Sequence, residues 1–153
     1  MATTVTAADL TVTIVESYSL NGVSYGNTTS KRYTNNGEVY QRIMKIAADS
    51  RGSAWTDIIN FGSEDDAGQA DITNYKYFRV KNLDDTNFME LRVTGTSDSF
   101  FIKIKAGESF LLMDNEIDAV TGSSTIGTLT DITQIAANAD TDAVDIEFVC
   151  VTI

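Results

Sequence analysis

Apolar and polar residues alternate with a period of two along most of this chain, in short segments rich in Val, Ile, Thr, Tyr and Phe separated by clusters of Gly, Asn and Asp. Side chains on a strand point alternately to opposite faces, so the pattern predicts an all-β protein, a sandwich or a barrel. In LTVTIVESYSL one face carries Leu10, Val12, Ile14, Tyr18 and Leu20, and the other Thr11, Thr13, Ser17 and Ser19. Asn21-Gly22 follows at once. That dipeptide suits a type I′ turn, whose two central residues both need positive φ, so VSYGNTTSKRYT is expected to pair back on the first strand. Glu16 falls on the apolar side, which a bulge or a strand crossing out of the sandwich would explain.

After the turn signal Asn35-Asn36-Gly37, EVYQRIMKIAA reads as a strand, although Val39, Ile43, Ile46 and Ala47 also fit one face of a short helix. WTDIINF is a further strand and GSEDDAGQAD a polar connection. The turn-rich TGSSTIGTLTD then leads to ITQIAANAD and the terminal strand DAVDIEFVCVTI. With no internal repeat and no linker, the expectation is one domain over 1–153, an antiparallel β-sandwich with 1–9 as an N-terminal arm.

The segment KYFRVKNLDDTNFMELRV, followed by TGTSDSFFIKIKAGESFLLM, predicts a three-strand meander. If Leu83 to Thr86 form the first hairpin loop, Arg79 pairs with Glu90, Tyr77 with Arg92 and Lys81 with Phe88. If Gly95 to Asp98 form the second, Glu90 also faces Lys103. The inward rows are then Phe78, Leu91, Ile102 and Val80, Met89, Ile104. The polar face becomes a basic, aromatic strip of Tyr77, Arg79, Lys81, Phe88, Glu90, Arg92, Phe101, Lys103 and Lys105. Three uses of such a strip are weighed: stacking of single-stranded bases, cross-strand pairing completed by acids such as Asp145 and Glu147, and a contact between subunits. Asp84-Asp85 at the hairpin tip reads as turn chemistry.

Composition narrows the chemistry. The chain of 153 residues has a net charge of -11, and no Lys or Arg follows Lys105. That balance argues against duplex nucleic acid and anionic membranes as partners. There is no histidine, which removes the usual general base, the usual partner of a nucleophilic Ser or Cys, and the commonest zinc ligand. Met1 to Leu10 has no basic segment or long apolar run, so no export signal is expected. Cys150 alternates with Val144, Ile146 and Phe148 and is read as a core thiol.

Two acidic alternations, Asp114-Glu116-Asp118 and Asn138-Asp140-Asp142, lack the Gly and the terminal carboxylate of an EF-hand. Many carboxylates are present, but none forms a favoured pair for glycoside hydrolysis. Asn27-Thr28-Thr29 is a formal glycosylation sequon read as a turn, and Trp55 is read as a core or sandwich-edge residue. No catalytic, cofactor-binding or metal-ligating residue is assigned, and no cofactor is expected.

Three blocks, LTVTIVESYSLNGVSYGNTTS, YKYFRVKNLDDTNFMELRVTGTSDSFFIKIKAGESFLLM and ITQIAANADTDAVDIEFVCV, together resemble small virion structural proteins of tailed bacteriophages, especially marine phages infecting cyanobacteria. The resemblance covers most of the chain and includes no diagnostic site. It implies a jelly-roll-like β-sandwich without enzymatic activity, a homo-oligomer present in many copies on the virion and assembled in the host cytoplasm. The implied role is a capsid decoration or cement subunit. The partners it implies are other copies of the chain and a major capsid or other virion protein, with neither nucleic acid nor membrane. A tail or neck component and a carbohydrate-binding module are the alternatives.

Overall fold

The structure, a computed structural model, describes residues 6–49, 54–63, 68–119 and 125–152. The described residues contain strands and no helix, and the chain divides into two compact units, Met1–Gly37 and Glu38–Ile153.

In the first unit, β1 (Ala8–Leu20) and β2 (Val23–Asn36) form an antiparallel ribbon closed by the expected turn, with Asn21 at φ 52° and Gly22 at φ 78°. Gly26 lets the two backbones approach closely, since a Cβ there would lie 2.7 Å from the Glu16 carbonyl oxygen. At the base, the Asn36 amide donates to the carbonyls of Ala8 (2.8 Å) and Tyr33 (3.0 Å), and Arg32 pairs with Asp9. That guanidinium holds the Asp9 carboxyl below the usual carboxylate range.

Three expectations change here. Glu16 faces Asn27 in unbroken register, so it marks no bulge; the irregularity lies between Ala8 and Leu10. The sequon Asn27-Thr28-Thr29 lies inside β2, not in a turn. Most importantly, β1 and β2 pair only with each other, so the sandwich is confined to the second unit. Of the expected arm 1–9, Ala8 and Asp9 are strand, and residues 1–5 lie outside the described residues.

In the second unit β3 (Glu38–Ile46) is a strand throughout, which settles the helix ambiguity. It is followed by β4 (Thr56–Gly62), β5 (Ala70–Asp71), β6 (Tyr75–Asn82), β7 (Met89–Gly95), β8 (Ser99–Ile104), β9 (Ser109–Leu112), β10 (Glu116–Ile117), β11 (Thr130–Ala139) and β12 (Val144–Thr152). One sheet runs β3-β12-β6-β9; the other runs β5-β4-β11-β7-β8, with β10 added to β11. Setting aside the two-residue strands β5 and β10, the chain alternates between sheets except for the β7–β8 hairpin, which is the double Greek-key order of a jelly roll.

Period-two alternation supplies the core. Ile46, Phe78, Val80, Ile146, Phe148 and Cys150 from one sheet meet Ile59, Met89, Leu91, Val93, Ile104, Ile132 and Ile135 from the other. The register of the second half of the meander is as expected, with Glu90 facing Lys103, Leu91 facing Ile102 and Met89 facing Ile104, but Ile102, expected in the inward row, is exposed.

The first half is not a hairpin. β6 pairs with β12 and β9, and β7 with β11 and β8, so Leu83 to Phe88 carry the chain from one sheet to the other. The expected pairs Arg79–Glu90, Tyr77–Arg92 and Lys81–Phe88 therefore do not form. A crossover preserves the same inward and outward alternation as a hairpin, so the pattern could not separate the two. Phe78 and Val80 oppose Leu91 and Met89 across the core instead of standing beside them.

Asn82, fully buried, organises this crossover. Its amide nitrogen donates to the carbonyls of Asn87 (2.9 Å) and Ile104 (3.4 Å), and its amide oxygen accepts from the Asp84 N–H (3.0 Å). Asp84 Oδ1 then accepts from the backbone N–H of Asn87 (2.6 Å) and Thr86 (2.8 Å), and these donors hold its carboxyl below the usual carboxylate range.

Two outcomes are expected. Asn82→Ala strands buried polar partners and should destabilise the protein by about 2–4 kcal/mol in urea unfolding, whereas Asp85→Asn, at an exposed position, should change stability by less than about 0.5 kcal/mol. Because the folded-state pKa of Asp84 is depressed, its stabilising contribution is present above the ordinary Asp pKa and is lost as pH falls through the lower folded value. The stability gap between wild type and Asp84→Asn should accordingly be largest near neutral pH and close in acid, as measured by urea midpoints across a pH series.

Candidate functional site

The expected basic, aromatic strip is divided between opposite faces of the sandwich, because β6 and β7 belong to different sheets. On the four-stranded sheet, Arg79 donates to Glu147 on β12 at 2.6 Å, the cross-strand pairing weighed above. Arg79 lowers the Glu147 carboxyl pKa first through this hydrogen bond and then through its charge. Lys81 stands opposite Glu147 in register, and Tyr77, opposite Val151, is 4% exposed and so presents almost no surface for contact.

On the six-stranded sheet the outward residues are knitted by different forces. Arg92 lies 4.8 Å from the centre of the Trp55 ring, and Trp55 lies 5.6 Å from Phe101. Trp55 precedes β4, while Arg92 and Phe101 belong to β7 and β8, so the indole reaches across β11. Between them β11 offers only the small Ala136, which is fully buried although it is not part of the core cluster. Arg92 also donates to Gln134 (2.8 Å), and Gln134 donates to Asn60 (3.0 Å), which links three strands. Such aromatic and cation–π contacts contribute roughly 0.5–1.5 kcal/mol each.

Glu90 faces Lys103 in register, but the Lys103 ammonium sits 3.4 Å from the centre of the Phe88 ring. The ion pairs among the described residues are Arg32–Asp9 and Arg79–Glu147, so Glu90 does not bridge Arg79 and Lys103. Lys105 follows β8 in a turn where its backbone N–H donates to Glu108 (3.1 Å). Arg79, Arg92, Lys103 and the aromatic side chains they touch are thus engaged within their own faces.

A cleft of about 410 Å³ is lined by Tyr40 and Arg42 of β3, Asp57 and Asn60 of β4 and Phe148 of β12 among others. Asp57 is the one carboxylate among its described lining residues, whereas glycoside hydrolysis uses a facing pair. The acidic alternations are engaged locally: Asp114 accepts from the Glu116 N–H (3.1 Å), Asp118 from the Gly127 N–H, and Asn138 is buried against the Asp49 backbone. Among the described residues no group of three or more His, Cys, Asp or Glu side chains could hold a metal ion.

A second candidate surface lies on the β1–β2 ribbon, which contributes no residue to the strip. On the ribbon, Leu10, Val12, Ile14, Tyr18 and Leu20 of β1 share a face with Val23, Tyr25 and Tyr33 of β2, while the reverse face is mostly Ser and Thr. Exposure on the apolar face is 44% at Ile14, 61% at Tyr18, 59% at Leu20, 53% at Val23 and 45% at Tyr25. Tyr18 and Tyr25 stack at 5.2 Å. The available signal was the length of β1, thirteen alternating residues, well beyond an ordinary sandwich strand.

No protein-family model matches the chain, and neither a curated protein nor a solved structure matches it.

Cys150 is buried in the core, and burial pushes its thiol up to about 12. The native protein should therefore leave a disulfide reagent such as DTNB unreacted at pH 8, and one thiol per chain should react once urea unfolds it. Rapid reaction of the native protein would contradict this placement.

Proposed function

We propose that this chain is a non-enzymatic virion structural protein, a multicopy capsid decoration or cement subunit that works through contacts with other copies of itself and with a major capsid or other virion protein. The observation that carries the reading is the β1–β2 ribbon, which presents an apolar face several residues long to solvent. A contiguous exposed apolar face marks an interaction site, and a two-stranded ribbon has little stability of its own in water.

Three further features support it. The three sequence blocks resemble phage virion proteins, and the jelly-roll sandwich is the fold that this resemblance implies. The basic, aromatic strip, for which base stacking is one of three uses weighed, is divided between two faces, and Arg79, Arg92 and Lys103 make their contacts within those faces. The net charge of -11 favours solubility at high local concentration.

The test is to purify the phage particles and locate the chain by quantitative mass spectrometry and immunogold labelling. Many copies per particle, with label on the head exterior, are the expected result. Label confined to the tail or neck would replace the capsid role, and absence from purified particles would overturn a virion role altogether.

A further inference from the structure

We propose that the apolar face of the β1–β2 ribbon docks on the same face of a second copy, the two ribbons running antiparallel about a two-fold axis through the Ile14–Thr29 pair. This rests on the virion-subunit reading only in that both invoke self-contact; the surface, the mode and the charged residues follow from the ribbon itself.

Charge selects the partner. Up to Gly37 the chain carries Asp9 and Glu16 against Lys31 and Arg32, two acids and two bases, so the whole -11 belongs to Glu38–Ile153. Two copies therefore repel through their sandwiches but not through their ribbons. Only two charged residues stand on the apolar face, and they are of opposite sign: Glu16, opposite Asn27, and Lys31, opposite Val12. Four register steps separate them, roughly 13 Å along the ribbon, too far to pair within one chain.

Charge also selects the mode. Midway between them lies Ile14, opposite Thr29. A two-fold axis lying across the strands at that level exchanges the Glu16 level of one copy with the Lys31 level of the other. Glu16 then meets the partner's Lys31 at the same level, one strand across, and the symmetric pair forms at the same time. The exchange also brings Tyr18 and Tyr25 against the partner's Leu10 and the partner's Tyr33. Ribbons packed in parallel would instead set Glu16 beside the partner's Glu16, and Lys31 beside the partner's Lys31.

The face measures roughly 40 Å by 10 Å, which places the contact at the small end of specific interfaces and makes it concentration-dependent. Covering it removes from water the five residues that are now about half exposed or more.

The test uses the full chain in a charge-exchange set read by sedimentation velocity over a concentration series. Wild type should associate into dimers, and Glu16→Lys and Lys31→Glu should each weaken the dimer by about 10-fold or more, since two symmetric pairs become repulsive together. An equimolar mixture of the two variants should recover association, because each chain with two bases on its apolar face then finds a partner with two acids there; so should the double variant E16K/K31E. Circular dichroism and urea midpoints, unchanged across the set, show that the sandwich remains folded. A wild type that stays monomeric, or association indifferent to both single variants, overturns the proposal even if the chain is abundant in particles. Weakening by both variants without recovery in the mixture overturns the antiparallel mode. Recovery in the mixture sustains the proposal even if the chain is absent from particles.

Discussion

Asn82 occupies the point where the chain leaves one sheet for the other, and its buried amide ties the crossover to β8 of the second sheet. It donates to Asn87 in the crossover and to Ile104 on β8, and it accepts from Asp84. The backbone converges on the same place, with the Asn82 N–H donating to Glu108 and the Leu83 N–H to Asp145. The β6–β7 crossover, the β8–β9 turn and the start of β12 are thereby joined at one end of the sandwich. A buried amide that loses a partner bears the full desolvation cost, so this node tolerates few alternative chain paths. An apolar residue of similar volume would fill the space but leave the carbonyls of Asn87 and Ile104 without this donor.

Once β6 and β7 are assigned to different sheets, the outer faces have to be completed separately. The four-stranded sheet does so with Arg79 and Glu147, and the six-stranded sheet with Arg92 between Trp55 and Gln134. The acid-poor strip and the acid-rich last strand thus balance each other across β6 and β12. This pairing engages Arg79, the cation at the centre of β6, with an acid of its own sheet. The functional consequence is indirect: with these side chains engaged, attention falls on the ribbon, where five exposed apolar residues share one face.

Much of the fold was legible because period-two alternation and turn chemistry are local. The Asn21-Gly22 turn, the Gly95–Asp98 hairpin with its Glu90–Lys103 register, and the buried Cys150 all follow from neighbouring residues. What was not legible is the choice of partner strand. Leu83 to Phe88 could close a hairpin or cross between sheets without moving any apolar residue off the inward face, and only the long-range pairing of β6 with β12 distinguishes them. The strip is divided between two faces because of that pairing. Glu16 is the instructive case: on the assumption that every apolar face lies in the sandwich it needed a bulge, whereas on a ribbon outside the sandwich it needs only a partner.

The ribbon's open edges offer a second route to association, strand addition, and comparing the two routes shows why the face is the decisive element. Adding a strand from another copy would satisfy backbone groups along β1 or β2, yet those groups are already hydrated in water. It would leave Ile14, Tyr18, Leu20, Val23 and Tyr25 as exposed as before, because they point perpendicular to the sheet. Face-to-face docking removes that apolar surface from water, and the apolar term is the larger one. Segregating the charge then has a clear physical sense: in the proposed dimer the acidic sandwiches repel one another, while the neutral ribbon, with one acid and one base on its apolar face, would favour contact in one orientation.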